Sequence, residues 1–189
     1  MEGISHEVAS LAGTLKLNKL IWLYDDNGIS IDGKVEGWFT DDTPKRFESY
    51  NWNVIPNVDG HDVAAVDAAI AQAKLSDKPT LICCKTIIGK ASPNLQGGAK
   101  VHGAALGDAE CAAVREHLVW DAIPFDIPAP IYEAWDAKQQ GAAVEGDWNA
   151  RFDGYRAQFP QLAAELERRM KGDLPANFQQ VLDQAIAAT

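Results

Sequence analysis

Residues 20–30 read LIWLYDDNGIS. The first five, LIWLY, form an unbroken apolar run that stops at Asp25-Asp26-Asn27-Gly28. A short apolar run ended by turn residues reads as a buried strand of a parallel sheet followed by a turn. Two further strands are read downstream, at residues 52–58 and in the apolar PTLICCKT at residues 79–86. Helical patterns lie between and before them. Val8, Leu11, Ala12 and Leu15 recur at helical spacing and predict a helix with one apolar face. Residues 41–50 predict a short helix, with Asp42 or Thr43 as cap and Pro44 in its first turn. Gly60-His61-Asp62 leads into a helix whose stripe is Val63, Val66, Ile70 and Ala73. Strand and helix alternating at this spacing predict an α/β fold, a parallel sheet with flanking helices.

Residues 89–107 are rich in Gly, Ser, Pro and Asn and have no periodicity. A structureless segment of that length in a compact domain is uncommon unless it carries function. Residues 108–118 are helical, Pro124, Pro128 and Pro130 mark an extended connector, and the pattern from Ile131 onward is helical. Pro160 sits at a helix start, Leu162, Leu166 and Met170 share a face, and Gly172 is placed to stop that helix. The reading is therefore an α/β domain over residues 1–120 and a connector with a helical extension over residues 121–189. A parallel sheet of three strands is small, so further sequence is expected upstream.

The composition narrows the function. The 189 residues carry 27 acidic and 17 basic side chains, a formal net charge of -10. That balance argues against a nucleic-acid platform or a polybasic membrane anchor. No apolar run approaches the roughly 20 residues that span a bilayer. Three cysteines, two of them the adjacent Cys83 and Cys84, make no disulfide framework, which fits a reducing, cytoplasmic setting.

Ligands of parallel sheets bind at the carboxyl ends of the strands. Two segments here lie at such ends: Asp25-Asp26-Asn27-Gly28-Ile29-Ser30 and residues 89–107. An Asn side-chain oxygen with nearby backbone carbonyls suits a hard divalent cation. Asn-Gly is equally a common turn pair, and spacing alone leaves both readings open. The thiols of Cys83 and Cys84 lie in an apolar strand with no base histidine beside them, which argues against a nucleophile.

The stretches MEGISHEVASLAGTLKLNKLIWLYDDNGISIDG, GWFTDDTPKRFESYNWNVI, DGHD, KPTLICCKTIIGKASPN and VHGAALGD closely resemble transketolase of the bacterial type. The resemblance covers essentially the whole chain and falls in the second half of the family's thiamine diphosphate-binding domain. It implies an enzyme that moves a two-carbon ketol unit between sugar phosphates in the pentose phosphate pathway. It further implies Asn27 and the Ile29 carbonyl as ligands of Mg2+, Ca2+ or another divalent ion. Ile88 is implied to pack on the thiamine rings. His102 is implied to contact both the cofactor diphosphate and the donor hydroxyls, making it the catalytic candidate of this chain. Glu2 and Glu7 match glutamates of a carboxylate network at the interface of the family's homodimer.

The family's cofactor motif opens with GDG, and this chain starts just after it. The metal-binding Asp and the catalytic carboxylate of the partner chain are implied to lie outside these residues, so that the chain alone binds cofactor poorly and is inactive. Related thiamine enzymes such as 1-deoxyxylulose-5-phosphate synthase or a 2-oxo acid dehydrogenase are the alternative, with a non-catalytic α/β assembly module as a third. The SHEVASLAGTLKLNKLI and VHGAALGD stretches favour transketolase over the first two.

Overall fold

The computed structural model describes residues 3–188. The chain divides into two compact units between Asp121 and Ala122. In the first, helix α1 (Gly3–Thr14) leads into strand β1 (Ile21–Asp26) and a small hairpin of β2 (Ile29–Ser30) and β3 (Gly33–Lys34). Helix α2 (Thr43–Ser49), strand β4 (Asn53–Asp59), helix α3 (Val63–Ala73), strand β5 (Thr80–Lys85) and helix α4 (Asp108–His117) follow. Strands β1, β5 and β4 form one sheet in that order, and both pairings are parallel.

The last strand in sequence is thus the central one. The residues of β5 from Thr80 to Cys84 are buried, and they alternate between two cores, as strand geometry requires. Leu81 and Cys83 pack with Ala9, Ala12, Phe47 and Trp52 on the α1–α2 side. Ile82 and Cys84 pack with Ala69 and Ala73 of α3 on the other. Strand β1 is an edge among the described residues, so its apolar run is only partly covered: Leu23 is 54% exposed. β4 is the opposite edge, and it tolerates Pro56 and a register shift between Ile55 and Val58, because an edge strand leaves one side of its backbone unpaired.

Helix caps follow the local chemistry. The Asp42 carboxylate accepts the Lys45 N–H at 3.1 Å and caps α2. Asp62 caps α3 by accepting from the N–H groups of Ala64 and Ala65.

Helix α1 departs from its sequence pattern. Ala12 is buried, but Val8, Leu11 and Leu15 are 47%, 58% and 59% exposed. The face that packs is the small one: Ala9, Ala12 and Gly13. Gly13 lets the helix touch the chain at Tyr50, where an added Cβ would lie 1.7 Å from the Tyr50 carbonyl oxygen. The Trp52 indole N–H donates to the Ala9 carbonyl at 2.7 Å, and the Asn51 amide donates to the Gly13 carbonyl at 3.2 Å. Close backbone approach and these bonds seat the Ala9, Ala12 and Gly13 face of the helix on the rest of this unit.

The second unit is helical: α5 (Ala129–Trp135), α6 (Lys138–Gln158), α7 (Pro160–Lys171) and α8 (Phe178–Ala187). Helices α6 and α7 pack on each other, with Ala163 fully buried. Arg156 of α6 lies over the Phe152 ring and pairs with Glu167 of α7. Gly172 ends α7 in the left-handed conformation, φ 77°. Among the described residues no helix is long and apolar enough to cross a membrane.

Candidate functional site

Parallel pairing brings the carboxyl ends of β1, β5 and β4 to one edge of the sheet. Three groups of residues gather there. The first is the exit of β1. Asp26 stands opposite Lys85 in register, and the two side chains form an ion pair. The Thr86 hydroxyl donates to Asp25 Oδ1. The other oxygen of Asp25, Oδ2, faces the Asn27 amide at 3.4 Å, and Asn27 Oδ1 accepts the Ile29 N–H at 2.9 Å. Asn27 is therefore held in an Asx turn, with its side chain half-buried. Gly28 takes a positive φ of 69°, which lets the chain reverse, and its carbonyl accepts from the Val35 N–H.

The second group is the loop after β5. The Ile88 carbonyl accepts the Gly97 N–H at 2.8 Å, and Ile88 is half-buried. Gly89, with φ 66°, lies against Val101, whose nearest side-chain carbon would be 3.0 Å from an added Cβ. That contact places the following residue, His102, on the same loop. His102 ends a single 3-10 turn over Ala99–Val101, donates its backbone N–H to Ala99 at 2.9 Å, and is exposed.

The loop is anchored from α4. Glu110 is buried and accepts from the Ser92 hydroxyl, from the Asn94 N–H at 3.0 Å and from the Asn94 side-chain amide at 2.9 Å. The hydrogen bond from Ser92, with those from Asn94, holds its carboxyl below the usual carboxylate range. The apparently irregular segment is thus a fixed loop clasped by one carboxylate.

The third group is the turn after β4. His61 Nε2 accepts the Ile87 N–H at 2.7 Å. The sequence assigns His61 only to the turn before a helix; its position at the end of the second strand is the signal that places it at this edge. Asp25, Thr86 and Glu110 likewise carry no sequence role, though Asp25 lies two residues before Asn27.

Asn27 and Ile29 are brought together in one turn, while Ile88 and His102 are related only through their chain neighbours Gly89 and Val101, which touch. The Asp25–Thr86 bond ties the first pair to the chain just before the second. Glu7 lies exposed on α1, away from these strand ends in sequence and outside the first helical turn. Glu2 lies outside the described residues. Cys83 is pushed up to about 11 by burial in the apolar sheet, which keeps it a thiol at neutral pH.

A divalent ion takes hard oxygens. Asn27 Oδ1 retains a lone pair beyond the one given to the Ile29 N–H, and the Ile29 carbonyl is a second neutral oxygen, so the donor chemistry fits. Among the described residues no group of three His, Cys, Asp or Glu side chains is placed to hold a metal ion unaided.

A three-stranded parallel sheet with its polar groups at the carboxyl edge defines an α/β ligand-binding domain. The chain belongs to the transketolase family: the family model described as "Transketolase, thiamine diphosphate binding domain" matches residues 1–175. It is 60% identical over 187 residues to Transketolase 1 of Vibrio vulnificus (strain YJ016), covering 99% of this chain and 28% of that protein. To Transketolase 1 of Escherichia coli (strain K12) it is 58% identical over 188 residues, again 99% of this chain and 28% of the relative. The crystal structure of Pichia stipitis transketolase complexed with sedoheptulose-7-phosphate superposes with a TM-score of 0.86 at 38% identity, covering 95% of this chain and 27% of that one. The Campylobacter jejuni transketolase structure gives a TM-score of 0.79 at 36% identity, over 88% of this chain and 26% of that one. The chain thus spans little more than a quarter of the length of the relatives it matches.

Proposed function

We propose that this chain forms part of a thiamine diphosphate-dependent transketolase that transfers a two-carbon ketol unit from a ketose phosphate to an aldose phosphate. The observation that carries the reading is the carboxyl edge of the sheet, where the Asn27–Ile29 turn and the Ile88–His102 loop are joined through Asp25 and Thr86. When bound, the cofactor supplies the electron sink for breaking and making a carbon–carbon bond beside a carbonyl.

The chain's own residues bind and orient. Asn27 Oδ1 and the Ile29 carbonyl each give one neutral oxygen to Mg2+, or to Ca2+ or another divalent ion, which in turn holds the diphosphate. Ile88 offers an apolar wall to the thiamine rings. His102, exposed and at a loop tip, donates to or accepts from the diphosphate and the donor hydroxyls, since a neutral imidazole has one nitrogen of each kind. The residues 1–120 serve as the partial diphosphate-binding domain, with residues 121–189 as connector and helical extension. Glu2 and Glu7 belong, in this reading, to a carboxylate network at a homodimer interface, in a cytoplasmic enzyme acting on sugar phosphates.

Calorimetric titration of the intact protein with Mg2+ and thiamine diphosphate, beside a coupled ketol-transfer assay, tests the reading. Asn27→Ala is expected to weaken both ligands together, by about tenfold or more, because metal and diphosphate bind as one unit. Unchanged affinity for both would remove Asn27 from the metal shell. Tight binding without ketol transfer would favour another thiamine enzyme.

A further inference from the structure

The turn after β4 is built against the exit of β5. The Gly60 N–H donates to the Lys85 carbonyl at 2.9 Å. A Cβ on Gly60 would lie 2.5 Å from Thr86 Cγ2 and 3.1 Å from both Cys84 Cβ and the Lys85 oxygen, so the turn sits flush on the strand. The His61 N–H donates to Asp59 Oδ1 at 2.9 Å, which fixes the turn's own backbone. From this platform the His61 ring reaches Ile87, two residues beyond the end of β5, and Nε2 receives its N–H at 2.7 Å.

A backbone N–H only donates, so Nε2 is the acceptor in this bond. Strand pairing has ended at Ile87, and His61 supplies the acceptor that a neighbouring strand would otherwise give. The next residue, Ile88, is held by its carbonyl to the Gly97 N–H. The peptide between Ile87 and Ile88 is thereby bracketed by bonds from two different elements.

We propose that His61 is a positioning residue. Acting through the Ile87 amide, it holds Ile88 where the thiamine rings are received, without itself touching the cofactor. The inference rests on the function proposed above. It predicts that the bond orders the segment before any cofactor arrives.

The test uses the intact protein with His61→Leu, which removes the acceptor, and His61→Gln, whose amide oxygen sits near the Nε2 position. Hydrogen–deuterium exchange of the cofactor-free protein reads the Ile87 amide, and calorimetry with saturating Mg2+ reads thiamine diphosphate. His61→Leu is expected to speed exchange at Ile87 and to weaken the cofactor, each by about tenfold, the effect of one lost backbone hydrogen bond. His61→Gln is expected to restore most of both. Equal protection of Ile87 in wild type and His61→Leu overturns the proposal. So does an unchanged cofactor affinity, or an equal loss in both variants. Should His61→Leu fail to fold, His61→Asn, too short to reach Ile87, carries the same expectations. A wild-type protein that takes up no thiamine diphosphate overturns the functional reading, a failure told apart because exchange at Ile87 still answers to His61→Leu.

Discussion

The Thr86 hydroxyl donates to Asp25 Oδ1, closing a bond between residues 61 positions apart in the chain. Asp25 also faces the Asn27 amide through its second oxygen. One carboxylate therefore joins the exit of β5 to the turn that presents Asn27 and Ile29.

Thr86→Val keeps the shape of the side chain and removes the donor. We expect the Asn27 turn to loosen and Mg2+ affinity in the intact protein to fall by about three- to tenfold, a part of the roughly 1.5–3 kcal/mol of a hydrogen bond to a charged group, since Thr86 acts on the turn only through Asp25. Metal titration followed by calorimetry checks it, and Thr86→Ser should stay near wild type. An unaltered metal affinity in Thr86→Val would show that the bond organises only the sheet edge.

His102 is exposed and buries little, so His102→Ala should leave the melting temperature within about 2 °C of wild type, as surface substitutions usually do. Turnover or donor affinity is expected to fall by at least about tenfold, within the range for loss of a positioned hydrogen-bonding group. Steady-state kinetics beside a thermal melt decides. A large drop in melting temperature with normal kinetics would mark His102 as a structural residue.

Gly13→Ala should be severe despite adding a single methyl group. Its Cβ would lie 1.7 Å from the backbone oxygen of Tyr50, and because the clashing atom is main chain, no side-chain rotation can relieve it. A cost of about 1–3 kcal/mol or more is expected from such overpacking, measured by denaturant unfolding. Gly141→Ala, where no atom lies within 4 Å, serves as the control. Equal stability of the two variants would refute the close packing of α1.

Acid should open the loop after β5. The hydrogen bonds from Ser92 and Asn94 lower the Glu110 pKa in the folded protein. A lowered carboxylate pKa contributes stability that is present above the unfolded value and lost as pH falls through the folded value. Proteolysis or exchange within residues 89–98 should therefore rise at pH below about 4, the ordinary carboxylate range. Glu110→Gln should show that loosening already at neutral pH and lose the pH dependence. Protection unchanged between pH 7 and pH 3 would count against the clasp.

Strands β1 and β5 were legible as contiguous apolar runs, and the cap of α2 was narrowed to Asp42 or Thr43 because capping is a local hydrogen bond; β4 is interrupted by Pro56 and Asn57, and Asp62 emerges as a cap only from its bonds to the Ala64 and Ala65 N–H groups. The segment over residues 89–107 was legible as an irregular loop from its composition and lack of periodicity, and its clasp by Glu110 was not. The long specific stretches placed Asn27, Ile29, Ile88 and His102 through resemblance; spacing left Asn27 divided between a turn and a ligand, and the geometry shows the turn by itself.

Sequence alone determined the α/β class and the family, because apolar periodicity and extended motifs are written in consecutive residues. Strand order was decided by the tertiary structure, since parallel pairing joins residues such as Ile21 and Thr80 that no local pattern links. The close contact of α1 was decided there too: Gly13 is the point at which the helix meets the Tyr50 carbonyl, and no local pattern links those two residues. The same holds for His61 and Ile87, 26 positions apart, whose hydrogen bond exists only because β4 and β5 end side by side. Local patterns record what each segment prefers to bury, whereas these contacts depend on which segments become neighbours.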